Sequence, residues 1–123
     1  MFTHVTIGSN DLPKAKDFYT DVLAPLGLKM HFDAGAMIGF GGDAPQFMLV
    51  KPINGQPATA ANGGTIGILA PSQAAVKEFH KRALARGGKD EGAPGPRDAA
   101  PNMYSAYIRD LDGNKIVAIT FAP

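Results

Sequence analysis

Cysteine is absent from this 123-residue chain, which excludes disulfide bonds, thiolate metal ligands and a cysteine nucleophile. Long apolar runs are also absent, and the strand-sized ones present fall short of the roughly 20 residues that span a bilayer. The first 20 residues contain no basic region followed by an apolar run, so no signal peptide is predicted and a cytoplasmic location is expected. A membrane role is not indicated.

No excess of one charge sign is present either, because 12 Lys and Arg balance 11 Asp and Glu. The basic residues are scattered rather than gathered on one stripe, so nucleic acid is not an expected partner. The length is that of a single domain with one core. The composition therefore fits one globular domain whose partner is neither a membrane nor a nucleic acid.

The chain contains an internal repeat at a shift of 61 residues. Lys16-Asp17-Phe18 aligns with Lys77-Glu78-Phe79, and Leu23-Ala24 aligns with Leu84-Ala85 without a gap. A repeat of this length means that one supersecondary unit occurs twice. We therefore divide the single domain, residues 1–123, into a first module (1–51), a linker (52–63) and a second module (64–123).

Each aligned stretch has apolar residues at helical spacing, which predicts one helix per module. Asn10 or Asp11 is expected to cap the first helix and Ser72 the second, with glycines at Gly27 and 87–88 as stops. Segments with strand character surround the helices, and they are predicted at 4–7, 28–32, 36–40, 46–51, 65–69, 89–91, 103–109 and 114–121. A loop is expected over 92–102, and a hairpin turn over 110–114.

The predicted fold class is therefore α+β, with two βαβββ modules forming a curved mixed sheet around a cavity. Side chains alternate between the two faces of a strand. If Val5 and Ile7 point towards the helix, His4 and Thr6 point into the cavity. By the repeat, Ile66 and Ile68 pack while Thr65 and Gly67 face the cavity.

Four segments resemble the vicinal oxygen chelate superfamily, which holds glyoxalase I, extradiol dioxygenases and bleomycin-resistance proteins. They are His4-Val-Thr-Ile7, Asp17-Phe-Tyr19, Glu91-Gly-Ala-Pro-Gly-Pro-Arg97 and Arg109-Asp-Leu-Asp-Gly-Asn-Lys-Ile116. The resemblance implies a glyoxalase-like fold. In metal-dependent members it also implies a divalent cation between the modules, where His and carboxylate ligands suit Zn, Mn, Ni or Fe.

The ligand positions implied by the resemblance are only partly filled. His4 matches in type and place, but Thr65 stands where a histidine is usual and Val117 where a carboxylate is usual. The fourth strand offers Gln46 or Met48, which are weak ligands for such cations. We therefore expect no metal and no other cofactor, and His4 is either a ligand-binding residue or a hydrogen-bonded structural histidine.

The residues expected to contact a ligand are His4, Thr65, Phe47, Tyr107 and Arg97. Tyr104 and Tyr107 are three apart in a strand and face opposite sides, so Tyr107 is favoured for the cavity. Arg97 is a candidate clamp for an anionic group. His80 is expected to pack at the border of its helix, and His31 to lie at the surface with Asp33 near enough to form a polar pair.

Two functions follow as alternatives. One is a superfamily member with a degenerate metal site that binds a small organic molecule, either to sequester it or to transfer a proton with His4 as general base. The other is a metal-dependent lyase, isomerase or dioxygenase with an altered ligand set, such as His4 with Gln46 or His31. A protein that serves only as an assembly partner is a weaker third option.

The resemblance also implies a homodimer, without indicating whether modules pair within one chain or across two.

Overall fold

The computed structural model describes all residues, 1–123. The first module is a four-stranded sheet with one helix. Its elements in chain order are β1 (Val5–Gly8), α1 (Leu12–Val22), a short 3-10 turn (Ala24–Leu26), β2 (Lys29–Asp33), β3 (Met37–Gly41) and β4 (Phe47–Val50). The strand order is β1-β4-β3-β2, and only the β1-β4 pair is parallel. The sheet is therefore mixed, with β1 as one free edge.

The second module repeats this plan. Its elements are β5 (Ile66–Leu69), α2 (Gln73–Ala85), β6 (Lys89–Pro96), β7 (Tyr104–Arg109) and β8 (Lys115–Thr120). The strand order is β5-β8-β7-β6, again with one parallel pair, β5-β8. The two βαβββ modules predicted from the repeat are thus confirmed.

The helix boundaries follow the predicted caps. Asp11, not Asn10, caps α1 by accepting a hydrogen bond from the Lys14 amide, and Ser72 caps α2 by accepting one from Ala75. Gly27 has a φ of 79°, a left-handed conformation in which glycine is favoured, and it ends the turn that follows α1. Neither helix has the length and apolar character that a bilayer span requires.

The predicted loop over 92–102 is wrong in its first half, because β6 continues to Pro96. Its pairing with β7 is irregular, with register shifts at Gly92 and again before Gly95. Proline is tolerated there because β6 is an edge strand and needs no partner on its outer side. Because glycine and proline have low strand propensity, the sequence did not predict this part of the strand.

Both helices contribute to one continuous core. Val5, Ile7, Ile66 and Ile68 pack against it, as their alternation predicted, whereas His4, Thr6, Thr65 and Gly67 are exposed. The core holds α1 and α2 together, and Asp21 of α1 adds ion pairs to Arg82 of α2 and to Arg86, which directly follows α2. The modules are therefore joined on their helix side. The opposite face of each sheet carries no helix and is called the open face below.

Candidate ligand-binding clefts

The free edges of β1 and β5 border two clefts between the modules. The sheets form separate hydrogen-bonded ladders, so no strand pairing closes the gap between these edges. The first cleft has a volume of about 330 Å³ and lies between His4, Gln46, Gly67 and Leu69, among other residues of the two edges. The second has a volume of about 450 Å³. Both are within the usual size range of small-molecule sites.

His4 lines both clefts, and Thr65 shares the second cleft with it. The His4 side chain is exposed, and its Nδ1 lies 2.9 Å from the Thr3 hydroxyl. That contact occupies one ring nitrogen and leaves Nε2 available to a ligand. Two of the predicted site residues are thus brought together on facing edges. Lys115, which the sequence did not single out, lies in the same cleft.

Phe47 borders the first cleft from the core side. Its side chain is 4% exposed, and its ring packs on that of Tyr19 with centroids 4.9 Å apart. Its register partner on β1 is Val5, a residue that packs against the core. The alternation that places Gln46 and Met48 on the open face places Phe47 on the helix face. Its main contacts are in the core, and its contact with a ligand stays a prediction.

Tyr107 and Arg97 lie beyond the clefts on the open face of the second sheet. Tyr107 is the register partner of Val117 on β8, and Val117 is that of Gly67 on β5. Tyr104 instead packs against the core. The Arg97 guanidinium lies 5.8 Å from the Tyr107 ring centroid, and the Lys115 ammonium lies 5.2 Å from it. Lys115 therefore connects this aromatic ring to the second cleft.

The chain brings no three His, Asp or Glu side chains together. The other polar side chains that line the two clefts with His4 are hydroxyl, amide and ammonium groups: Thr3, Thr6, Gln46, Thr65, Asn114 and Lys115. Val117 on β8 is 3% exposed and offers only methyl groups. Neutral amide and hydroxyl groups with one imidazole make a poor ligand set for a borderline divalent cation.

The other two histidines hold secondary structure elements together. His31 Nε2 donates to the carbonyl of Gly42 at 2.8 Å, whereas the nearby Asp33 pairs with Lys16 instead. His80 is buried, and its Nε2 lies 2.9 Å from Asp90 Oδ1. The His80 contact holds the Asp90 pKa below its usual value, and a hydrogen bond from the Gly92 amide lowers it further. The sequence did not predict that partner.

A family model described as Glyoxalase/Bleomycin resistance protein/Dioxygenase superfamily matches residues 1–118. None of the curated proteins compared matches the chain.

Solved structures give matches over the whole chain. A glyoxalase/bleomycin resistance protein from Albidiferax ferrireducens T118 is 42% identical, with 100% of this chain and 99% of that chain covered and a TM-score of 0.90. A lactoylglutathione lyase from Agrobacterium tumefaciens is 26% identical, with coverages of 98% and 92% and a TM-score of 0.68. A glyoxalase-related enzyme from Fulvimarina pelagi, 17% identical, shares the fold, with coverages of 98% and 87% and a TM-score of 0.77.

Proposed function

The chain belongs to the glyoxalase/bleomycin resistance protein/dioxygenase superfamily, and on that premise we propose that it binds a small organic molecule between its two modules without a resident divalent metal. The observation that supports this proposal is the pair of clefts between β1 and β5. Their walls carry apolar side chains, such as Ile66 and Ile68, with His4 and Thr65 as polar groups. Such a combination orients a largely apolar ligand by a few hydrogen bonds.

A metal would need ligands that this chain does not offer at the expected positions. A divalent cation gives up hydration only to anionic or imidazole donors in sufficient number. Here one imidazole is accompanied in the clefts by hydroxyl, amide and ammonium groups, and an isopropyl group stands at residue 117. The residues do not fit the metal, so we assign no step of the function to one.

His4 is the residue on which two versions of the function depend. In a sequestering protein the imidazole only donates or accepts a hydrogen bond. In a proton-transfer enzyme the neutral imidazole accepts a proton from the ligand as a general base, with Nε2 as the free nitrogen. Both versions require that a ligand contacts His4, so binding is the first property to test.

Binding is tested by amide chemical shifts of the ¹⁵N-labelled protein while small, weakly polar aromatic and aliphatic compounds are added. We expect the shifts to cluster on β1 and β5. Thr65→Ala should weaken binding, whereas Thr59→Ala, an exposed threonine of the linker outside both clefts, should leave it unchanged. Shifts that are scattered over the surface, or equal effects of the two substitutions, would argue against the proposal.

One observation favours the metal-dependent alternative, since His4 and Gln46 line the same cleft. If that pair holds a cation with the help of waters, adding Mn²⁺, Ni²⁺, Zn²⁺ or Fe²⁺ raises the melting temperature, because a ligand that binds only the folded state stabilises it. The increase would be lost in His4→Ala. Our proposal expects no increase in either protein.

We also propose that the protein is a homodimer. Large apolar side chains are exposed beside the clefts, with Phe2 80% and Leu69 71% accessible. Covering them with a second copy would remove apolar surface from water at the rim of the site. Light scattering coupled to size-exclusion chromatography should give twice the chain mass of 12.9 kDa. A monomer at every concentration would contradict the proposal.

A further inference from the structure

The guanidinium of Arg97 lies over two glycines of β6. A Cβ atom at Gly92 would stand 3.3 Å from Arg97 Nη2, and one at Gly95 would stand 3.2 Å from Nη1. These glycines are the register partners of Tyr107 and Ser105 on β7. The guanidinium therefore lies on the open face of the second sheet, in space that side chains at positions 92 and 95 would otherwise occupy.

Contacts with the backbone hold the guanidinium in this position. Nη2 donates to the Ala93 carbonyl at 2.8 Å and Nη1 donates to the Pro96 carbonyl at 3.2 Å. A guanidinium has five N–H donors, so these bonds leave others free. The backbone thus orients the planar group on the Tyr107 ring without using all of its donors.

The positive charge at this position is not balanced. No ion pair of the chain includes Arg97 or Lys115, whereas the neighbouring Arg109 is paired with Glu91. Both free cations lie within 6 Å of the Tyr107 ring centroid. Two unpaired cations on one aromatic ring attract an anion more strongly than either would alone.

A buried hydroxyl on the same face also lacks a partner. Ser105 is 0% exposed, and its Oγ makes no hydrogen bond. It precedes Tyr107 by two residues in β7 and so points to the same side of the sheet. Buried hydroxyls are normally bonded, so an unpaired one calls for an explanation, and a ligand that supplies the partner is one.

We infer that the ligand carries an anionic group of the carboxylate type, bound by Arg97 and Lys115 over Tyr107, with the Ser105 hydroxyl as an additional donor. The inference rests on the proposed function, because it concerns the same ligand. Tyr107 lies two strands from β5, roughly 10 Å away at the usual strand spacing. With its anionic end at Arg97 and Lys115, the ligand would extend its apolar body across β8 towards β5 and the second cleft, which Lys115 also lines.

The test compares benzoate with benzamide, a neutral compound of the same shape, at constant ionic strength. Benzoate should move the amide signals of Gly92, Gly95 and Tyr107 and the Nε–Hε signal of Arg97, and benzamide should not. Arg97→Gln should weaken benzoate binding about tenfold or more, as expected for loss of a charged hydrogen-bond pair. Arg97→Lys should retain part of the affinity, because it keeps the charge.

Three further substitutions, one control and two tests, complete the series. Lys81→Gln removes an exposed cation of α2, on the helix side, and should leave benzoate binding unchanged. Gly95→Ala should displace the guanidinium by a few tenths of an ångström and weaken binding less than Arg97→Gln. Ser105→Ala should weaken binding without lowering the melting temperature, since it removes a hydroxyl that has no partner.

The outcomes separate this inference from the proposed function. If benzoate and benzamide bind equally well at β1 and β5, the ligand class is wrong while the proposed function stands. The same conclusion follows if Arg97→Gln leaves benzoate binding intact. If neither compound causes shifts on β1, β5 or β7, both proposals are contradicted.

Discussion

At the scale of single residues, the contact between Tyr19 and Asp110 joins the two modules. The Tyr19 hydroxyl, fully buried, donates to Asp110 Oδ2 at 2.5 Å, and the Asn114 side chain donates to the same oxygen at 3.0 Å. Asn114 also donates to the Gly8 carbonyl of β1 at 3.2 Å. Burial raises the pKa of Tyr19 well above its usual value, and the Asp110 charge raises it further. The phenol therefore stays protonated and serves as a donor.

We predict that Tyr19→Phe lowers the free energy of unfolding by about 2 kcal/mol, because it removes a hydrogen bond to a buried carboxylate and leaves the ring packing intact. Tyr104→Phe is the matched control. That ring packs against the core without a carboxylate partner, and its loss of a hydroxyl should cost less than about 0.5 kcal/mol. Urea denaturation measures the change in the free energy of unfolding for both variants. Equal values would show that the hydrogen bond from Tyr19 to Asp110 does not stabilise the fold.

The sequence predicted which face a strand residue occupies but not what its side chain contacts. Alternation placed His4, Thr65 and Tyr107 on the open face, where the structure has them. It also assigned Gln46 and Met48 to that face, and Phe47, between them, belongs to the other. The position of the Arg97 guanidinium over Gly92 depends on register shifts in β6, which no periodicity encodes.

At the scale of elements, His80 connects α2 to β6 through Asp90. Asp90 Oδ1 accepts from His80 Nε2 and from the Gly92 amide, both at 2.9 Å. The second of these bonds stabilises the first bulge of β6. Since Gly92 also borders Tyr107, the contact supports the strand that carries the proposed anion site.

The pH dependence of stability should reveal this contact. The folded-state pKa of Asp90 lies below its usual value of 3.8, so its stabilisation is present above pH 3.8 and is lost as the pH falls through the folded value. We predict that Asp90→Asn is less stable than the original chain near neutral pH and that the difference shrinks below pH 3.8.

Asp43→Asn controls for the general effect of removing a carboxylate, because Asp43 is exposed in the turn before β4. The change in relative stability with pH should be larger for Asp90→Asn than for Asp43→Asn over the same range. The urea midpoints of the two variants and the original chain are measured from neutral pH down to about pH 3. A difference for Asp90→Asn that is constant with pH would contradict the role of the charge.

The elements themselves were largely predictable because the chain repeats them. The helical spacing around Phe18 and around Phe79 predicted α1 and α2, and both helices lie there. The strand β6 was underestimated because glycine and proline have low strand propensity, whereas pairing with β7 determines its conformation. Tertiary pairing overrides local preference in such a segment.

At the scale of the whole molecule, the internal repeat gives two sheets whose free edges, β1 and β5, border the same clefts. The core on the helix side holds the modules together, while β1 and β5 remain unpaired with each other. In the proposed function the ligand binds in the gap between them, where a few polar side chains such as His4 and Thr65 line the clefts. The sequence predicted this cavity from the repeat, but its division into two clefts depends on how the modules pack.

The central claim is that the clefts beside His4 and Thr65 bind a small organic molecule and not a metal ion. Elemental analysis of the protein, purified without chelator and with Mn, Ni, Zn and Fe in the growth medium, tests it most directly. The account predicts far less than one first-row metal ion per chain, with no difference between the original chain and His4→Ala. One ion per chain that disappears in His4→Ala would contradict it.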